Sequence, residues 1–351
     1  MLTGGRRLRI GDRHVGAGEP VFVIAEIGLN HNGDLGLALE LIDLAKAAGA
    51  DAVKFQKREV DLCFTRAALE APYPGRNSFG PTYGDHKRAL ELSPPDYAAL
   101  AAHSRACGIA FLVTPFDAVS ADLVERLECP AIKIASHNMT NLPLLDHVAR
   151  KGRPILLSTG MASMTEVDAA VATIRRHHDD LVLLQCTSSY PAKVEDLNLA
   201  VLATYRERFG ALVGYSAHEP AEATLYAAVA LGACVIEKHF TRDKAMRGPD
   251  HAASFDPADL RRAIEGIRTV SAALGSAEKT VMASEWSNRA KHHRSVVAAV
   301  DIPPGARIGR AMLTTKAPGT GIPPGRLPEV VGRTARVAIA ADTTLTDELL
   351  A

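Results

Sequence analysis

Residues 234–240 read CVIEKHF. The run begins as a buried strand does, with β-branched side chains, and then turns into Glu237, Lys238 and His239, where desolvating a charge is costly. By the two-residue period of a strand, Glu237 and His239 share one face and Lys238 takes the other. The run is the last of eight, after VFVIAEIG (21–28), DAVKFQ (51–56), AFLVTPF (110–116), AIKIAS (131–136), PILLSTG (154–160), LVLLQCTS (181–188) and LVGYS (212–216). Amphipathic stretches such as LGLALELIDLAKAAG and TEVDAAVATIRRHH lie between them, apolar at helical spacing. Parallel neighbours need crossover helices and eight units close a sheet, so the order predicts an α/β fold, a (β/α)8 TIM barrel. An open doubly wound sheet is the alternative. No G-x-G-x-x-G turn follows any of the runs, which favours the barrel.

The chain has 351 residues, 47% apolar, enough for one large domain and a small one. The barrel is assigned to 1–276 and a linker to 277–293. Residues 294–351 hold short β runs broken by PPG at 303–305 and 323–325, which predicts a second, all-β domain. So small a domain needs a surface to dock on. The segment 57–92 is too long for an ordinary strand-to-helix loop and is read as a cover over the site, with an inert insertion as the alternative.

Forty Lys and Arg balance forty Asp and Glu, and no basic stripe or block points to nucleic acid. Five well-separated cysteines (63, 107, 129, 186, 234) form no C-x-x-C pair, which fits reduced thiols rather than a disulfide frame or zinc knuckle. The N-terminal MLTGGRRLRIGDR lacks an apolar stretch, and no apolar run reaches the ~18–20 residues of a membrane span. A cytoplasmic protein acting on small molecules is expected.

Barrel active sites gather at the C-terminal ends of the strands. Those ends supply Glu26, Lys54, Gln56, Thr114, Lys133, Ser136, Ser158, Ser188, Tyr190, Ser216, His218, Glu237 and His239. Lys54 and Lys133 sit within apolar strands, so each requires a nearby anion: a bound ligand, or Glu26 or Glu237 in an internal ion network. His218 and His239 follow neighbouring strands and can converge on one cation. Two imidazoles with open positions suit an exchangeable Mn, Co, Mg or Fe ion better than a closed zinc site. His177–His178 and His292–His293 are read as surface.

In order along the chain, VFVIAEIGLNHNGD, VKFQ, KIAS, LLSTGMAS, QCTSSYPA, VGYSAHEP and IEKHFTRDKAMRGPDHAAS resemble the sialic acid synthase family. The tail, from RSVVAAVDIPPGARI to GRTARVAIAADTTLT, resembles the SAF or antifreeze-like domain that follows the barrel in that family. The resemblance implies condensation of phosphoenolpyruvate with the open-chain aldehyde of an N-acylated hexosamine, giving a nonulosonic acid and phosphate. It places Lys54, Thr114, Lys133, Ser136, Ser158, Ser188 and Ser216 on phosphoenolpyruvate, and Gln56, Asn138, Tyr190 and Asp250 on the sugar. It gives His218 and His239 a divalent metal, Mn2+ with Mg2+ or Co2+ as alternatives, counts Lys54 and Lys133 as catalytic with Glu26 and Glu237, and leaves to these two carboxylates either proton handling or the orienting of water. It further implies a domain-swapped homodimer.

The chain departs from the family pattern at Asn138, where neuraminate-forming members carry an acid. Ser188 stands in place of their asparagine, and Ala317 where an SAF arginine reaches the partner's sugar site. These differences lie mostly on the acceptor side, so a different acceptor, or a different way of holding it, is expected. Arg247, Arg310 and Arg326 are candidates to replace the missing guanidinium. A legionaminic or pseudaminic acid synthase using a 2,4-diacetamido-trideoxyhexose is the sister reading. A metal-dependent barrel hydrolase or aldolase would leave two buried lysines unexplained, and a carbohydrate-binding protein on an inactive barrel would be expected to have damaged phosphoenolpyruvate contacts.

Overall fold

The computed structural model describes residues 5–351. It divides into two compact units, Met1–Gly275 and Ser276–Ala351. In the first, strands β1 (Arg7–Ile10) and β2 (Arg13–Gly16) pair as an antiparallel hairpin. Eight strands then follow: β3 (Phe22–Gly28), β4 (Ala52–Lys57), β5 (Ala110–Pro115), β6 (Ile132–Ile134), β7 (Ile155–Ser158), β8 (Leu181–Cys186), β9 (Leu212–Ala217) and β10 (Val235–His239). They form a closed parallel barrel in which β10 returns to pair with β3. The eight runs read from the sequence are these eight strands. The sheet closes rather than remaining open, so the doubly wound alternative is set aside.

Each strand is followed by a helix, and several of these helices have ends marked locally. The helix Leu35–Ala48 opens at Asp34, whose carboxylate accepts from the Leu37 N–H, and stops at Gly49 with φ of 95°, a conformation glycine takes without steric penalty. The helix Pro94–Cys107 opens on a reciprocal Ser93–Asp96 capping box.

Side-chain alternation splits the apolar residues into two cores. Outward positions of the strands pack with the helices. Inward positions at the N-terminal half, among them Phe22, Ile24, Leu112, Leu156, Leu184 and Val235, form a second cluster with Leu8, Ile10 and Val15 of the hairpin. The β1–β2 hairpin therefore packs on the interior core of the barrel. The sequence reading gave this stretch no structure.

The interior changes character along the strands. Two residues past Ile24, Ala52, Leu112, Ala131, Leu156, Leu184 and Val235 on the same inward face stand Glu26, Lys54, Thr114, Lys133, Ser158, Cys186 and Glu237. The apolar floor and the polar mouth are thus one periodic pattern. Lys238 faces the other way: it is 1% exposed, donates to the Glu219 carbonyl and lies 4.6 Å from the centre of the Phe255 ring.

The segment between β4 and its crossover helix is folded, with short helices Val60–Cys63, Arg66–Glu70 and Tyr83–Ala89. Tyr73, Tyr83 and His86 pack together there, with ring centroids 4.6 Å apart for Tyr73 and His86 and 5.3 Å for the two tyrosines.

In the second unit the stretch read as a linker carries the helix Trp286–His292. Strands β11 (Ser295–Ala298) and β12 (Leu313–Lys316) pair antiparallel, and isolated bridges such as Ile302 to Ile339 tie the remaining turns over a core that includes Val296, Ile308 and Leu345. The first PPG turns at Gly305, φ 76°; the second opens a 3-10 turn, Pro324–Arg326. Among the described residues no helix is long and apolar enough to cross a membrane.

Candidate active site at the barrel mouth

Strand register brings the charges together. Glu26 on β3 is the register partner of Lys54 on β4, and Glu237 on β10 that of Ser216 on β9. Lys54 Nζ stands 2.6 Å from Glu26 Oε2, donates to Thr114 Oγ1 at 2.8 Å, and lies 3.7 Å from Glu237 Oε1. Lys133 Nζ donates to the Ile134 carbonyl at 3.1 Å and is also 3.7 Å from Glu237 Oε1, which accepts from Ser216 Oγ at 3.1 Å. All four charged residues are at most 5% exposed. The internal carboxylates that the sequence left open as partners stand beside Lys54. Two ammonium groups and two carboxylates balance within one cavity.

Burial pushes the Glu26 carboxyl up, and Lys54 only partly opposes it, so the net direction is upward. Burial pushes Glu237 the same way, but Lys133, Lys54 and His239 outweigh it and the carboxyl ends below its ordinary value. Lys133 is lowered by burial against the pull of Glu237. Two neighbouring carboxyls driven in opposite directions is the pattern by which one site holds both a proton and a charge.

Several buried polar atoms here have no hydrogen-bond partner: Ser158 Oγ, Ser188 Oγ, Glu237 Oε2 and His239 Nδ1. Orphans are rare in folded proteins, and four around one mouth point to a polar ligand. Gly160, just past β7, leaves the space open. A Cβ there would come within 2.3 Å of Ser188 Oγ and 2.8 Å of Ser136 Oγ, and the Gly160 N–H already donates to Ser136 Oγ at 3.0 Å. The serine hydroxyls and the two ammonium groups at this mouth make a cradle suited to a small anion.

The two imidazoles lie with ring centroids 5.5 Å apart, and Tyr190 packs on both, 4.1 Å from His218 and 5.8 Å from His239. His218 Nδ1 donates to the Thr187 carbonyl at 2.8 Å, which turns Nε2 outward as an acceptor, the arrangement typical of metal-binding histidines. Its backbone N–H is held by Glu219 Oε2 at 3.0 Å. Burial lowers the His218 imidazole's proton affinity, but Cys186 and the Thr187 carbonyl outweigh it and the net shift is upward, so a cation at Nε2 competes with a proton. Burial drives His239 down to about 3, which keeps its imidazole neutral. The imidazole pair is suited to a divalent cation, with Glu237 not drawn close enough to count as a third ligand.

Among the described residues, the grouping of three metal-type ligands with donor atoms within 4.8 Å is elsewhere: Asp43, His103 and Cys107, on the outer helices. There His103 Nε2 is satisfied at 2.7 Å by Asp43 Oδ1, and none of the three residues lines the cavity that holds the convergent charges. The mouth is therefore the better candidate for chemistry.

Of the residues predicted from sequence, Glu26, Lys54, Gln56, Thr114, Lys133, Ser136, Ser158, Tyr190, Ser216, His218, Glu237 and His239 line this one cavity. Ser188 lies at its edge, toward a neighbouring depression. Asp250 does not line it but acts electrostatically on His239 and Tyr190. Asn138 does not line it either: its amide donates to the Phe116 carbonyl at 3.2 Å. Sequence reasoning missed Gly160, Cys186, His137 and Phe116. Gly160 carried a signal, as the last residue of the PILLSTG run.

A closed barrel with an anion cradle and a metal-suited imidazole pair at its C-terminal mouth has the make-up of a barrel enzyme acting on a small anion. The chain belongs to the NeuB family, whose model matches residues 41–279, and the SAF domain model matches 293–351. It is 41% identical to human N-acetylneuraminate-9-phosphate synthase over 96% of this chain and 95% of that one. It is 40% identical to N,N'-diacetyllegionaminic acid synthase of Legionella pneumophila over 97% and 98%. A crystal structure of N-acetylneuraminic acid synthetase from Leptospira borgpetersenii in complex with citrate superposes with a TM-score of 0.72 at 32% identity, over 81% of this chain and 95% of that one. The sequence resemblance thus rests on the whole chain, and the protein is an enzyme of the sialic acid synthase type.

Proposed function

We propose that the chain condenses phosphoenolpyruvate with the open-chain aldehyde of an N-acylated hexosamine of the N-acetylmannosamine type. The observation that carries this reading is the convergence of Lys54 and Lys133 with the hydroxyls of Ser136, Ser158 and Ser216 beside His218 and His239. The anionic enol ester takes the cradle, its negative charge facing the two ammonium groups. C3 of the ester forms a bond to the aldehyde carbon, and the aldehyde oxygen takes up a proton to become a hydroxyl. Water adds at C2, the C2–O bond to phosphate breaks, and the keto acid and inorganic phosphate leave. His218 and His239 hold a divalent cation, Mn2+ in preference to Mg2+ or Co2+, which supplies Lewis-acid polarisation of the carbonyl when bound. Glu26, raised by burial, is suited to carry a proton, and Glu237, held ionised by the lysines, to orient water. Ser136, Ser158, Ser188, Ser216 and Thr114 position the ester, and Gln56 and Tyr190 the sugar side, with Asp250 acting on it electrostatically.

The relatives' names divide on the acceptor, one a 9-phosphate product and one a diacetylated legionaminic acid. A phosphate-release assay with Mn2+ across N-acyl hexosamines and 2,4-diacetamido-trideoxyhexoses separates these readings. Release is expected only when phosphoenolpyruvate and a sugar are both present, and is expected to stop on chelation. Release without sugar, or none with any sugar, would overturn the condensation reading.

We also propose a cytoplasmic homodimer in which the SAF unit of one chain serves its partner's barrel. Five free cysteines support the reducing compartment, and the modest core of the second unit supports a need for further burial. Light scattering is expected to return twice the 37.3 kDa chain mass; a monomer at working concentration would contradict it.

A further inference from the structure

The cluster of Asp43, His103 and Cys107 takes no part in the chemistry at the mouth. Asp43 belongs to the helix Leu35–Ala48, and His103 and Cys107 to the helix Pro94–Cys107. The last two are four residues apart, so they stand one above the other on a single helix face. That face meets Asp43 because the two helices pack side by side, their apolar positions Leu41, Ala45, Leu100 and Ala101 in the same core. Lys46 Nζ donates to the Gly108 carbonyl at 2.7 Å and ties the same two helix ends together.

The three donor atoms form a closed triangle. His103 Nε2 is 2.7 Å from Asp43 Oδ1, and Cys107 Sγ is 3.4 Å from that oxygen and 3.5 Å from that nitrogen. Ligands sharing a tetrahedral Zn2+, with bonds of about 2.0–2.1 Å to nitrogen and oxygen and 2.3 Å to sulfur, stand about 3.5 Å apart for each sulfur pair and about 3.3 Å for the N–O pair. Both sulfur distances already have the coordination value. The N–O edge has the length of a hydrogen bond and must open by about 0.6 Å, a small turn of the Asp43 carboxylate. A surface His–Asp pair accounts for that one edge alone and gives no reason for a thiol at coordination distance from both partners. The Asp43 side chain is 57% exposed and that of His103 32%, so an ion can enter and keep a water. Cys107 is the last residue of its helix, where the unpaired carbonyls favour positive charge.

We propose that Asp43, His103 and Cys107 bind a zinc-class divalent cation that clips these two helices together, with water in the fourth position. A thiolate, an imidazole and a carboxylate suit Zn2+ better than Mn2+ or Mg2+, so this site and the mouth select different ions. On binding, the thiol proton passes to solvent, His103 coordinates through Nε2 with its proton on Nδ1, and Asp43 coordinates through one oxygen. The site is independent of the condensation reading.

The test titrates the full, metal-stripped chain with Co2+ and reads the thiolate-to-Co2+ charge-transfer band in the near ultraviolet. The band is expected to saturate at one ion per chain and to be displaced by Zn2+. Cys107→Ser should abolish it and leave phosphate release with Mn2+ at the unsubstituted level, while His103→Gln and Asp43→Asn should each weaken Co2+ binding at least about tenfold. Cys186 at the mouth also offers sulfur, so His239→Ala serves as the control and should keep the band. With Zn2+ at a hundredfold excess over its Kd, the melting temperature of the unsubstituted chain should rise by roughly 5 °C more than that of Cys107→Ser. No band in the unsubstituted chain overturns the inference, as does a band that survives Cys107→Ser or is lost in His239→Ala. A band that His103→Gln and Asp43→Asn leave at full strength and affinity also overturns it, since a thiol alone would then hold the ion.

Discussion

Replacing Lys54 with Met is expected to lower the stability of the barrel by about 3–5 kcal/mol, the range for breaking a buried ion pair by removing one partner. Phosphoenolpyruvate-dependent phosphate release should fall by roughly 10²–10³-fold or more, as for the loss of a preorganised charge. Lys54 is 2.6 Å from Glu26 and 3.7 Å from Glu237, so its removal leaves two buried carboxylates with Lys133 alone. Glu26 is already raised above its ordinary value of 4.5 by burial, and losing Lys54 removes the largest opposing effect. A carboxyl whose pKa is higher in the folded state than in the unfolded chain binds more protons when folded, so stability falls as pH rises from 4.5 through the folded value. The deficit of Lys54→Met is therefore expected to be smallest in mild acid and to grow toward neutral pH, read as melting temperature against pH. Adding Glu26→Gln should recover much of the stability and none of the turnover. An unchanged melting temperature at neutral pH would show that Lys54 does not hold the carboxylates in place.

The barrel was legible because two periods coincide in the sequence. Inward and outward positions alternate in each strand, and strands recur between helices whose caps, such as Asp34 with Gly49, are written locally. The polar strand ends were legible for the same reason, since Glu237 and His239 fall on one face by counting alone. What counting could not give was partnership across strands. That Lys54 meets Glu26 follows from the register of β4 against β3, which is set by barrel closure and not by either run of residues. The β1–β2 hairpin escaped notice because four-residue strands are too short for a periodic signal, although Gly11 with φ of 59° marks its turn. Asn138 shows the opposite limit: chosen for its place in a motif, its amide is spent on the Phe116 carbonyl.

His239→Ala should abolish turnover, by on the order of 10³-fold or more, while leaving the fold nearly as stable as before. The physical reason is the unpartnered Nδ1. A buried polar atom without a hydrogen bond already weakens the folded state, so deleting the ring removes that penalty along with its packing, and the two offset. His218→Ala should behave differently. Its Nδ1–H satisfies the Thr187 carbonyl at 2.8 Å, and its removal orphans that acceptor at a cost of about 1–3 kcal/mol. Both variants should lose Mn2+ in equilibrium dialysis, a readout that a merely structural role would not move. The pair of variants thus separates the two duties: one histidine is held by the fold and the other is held for the ion. Retained Mn2+ binding and more than a tenth of the turnover in His239→Ala would remove His239 from the metal site, and the ion would have to be sought at other side chains of the mouth.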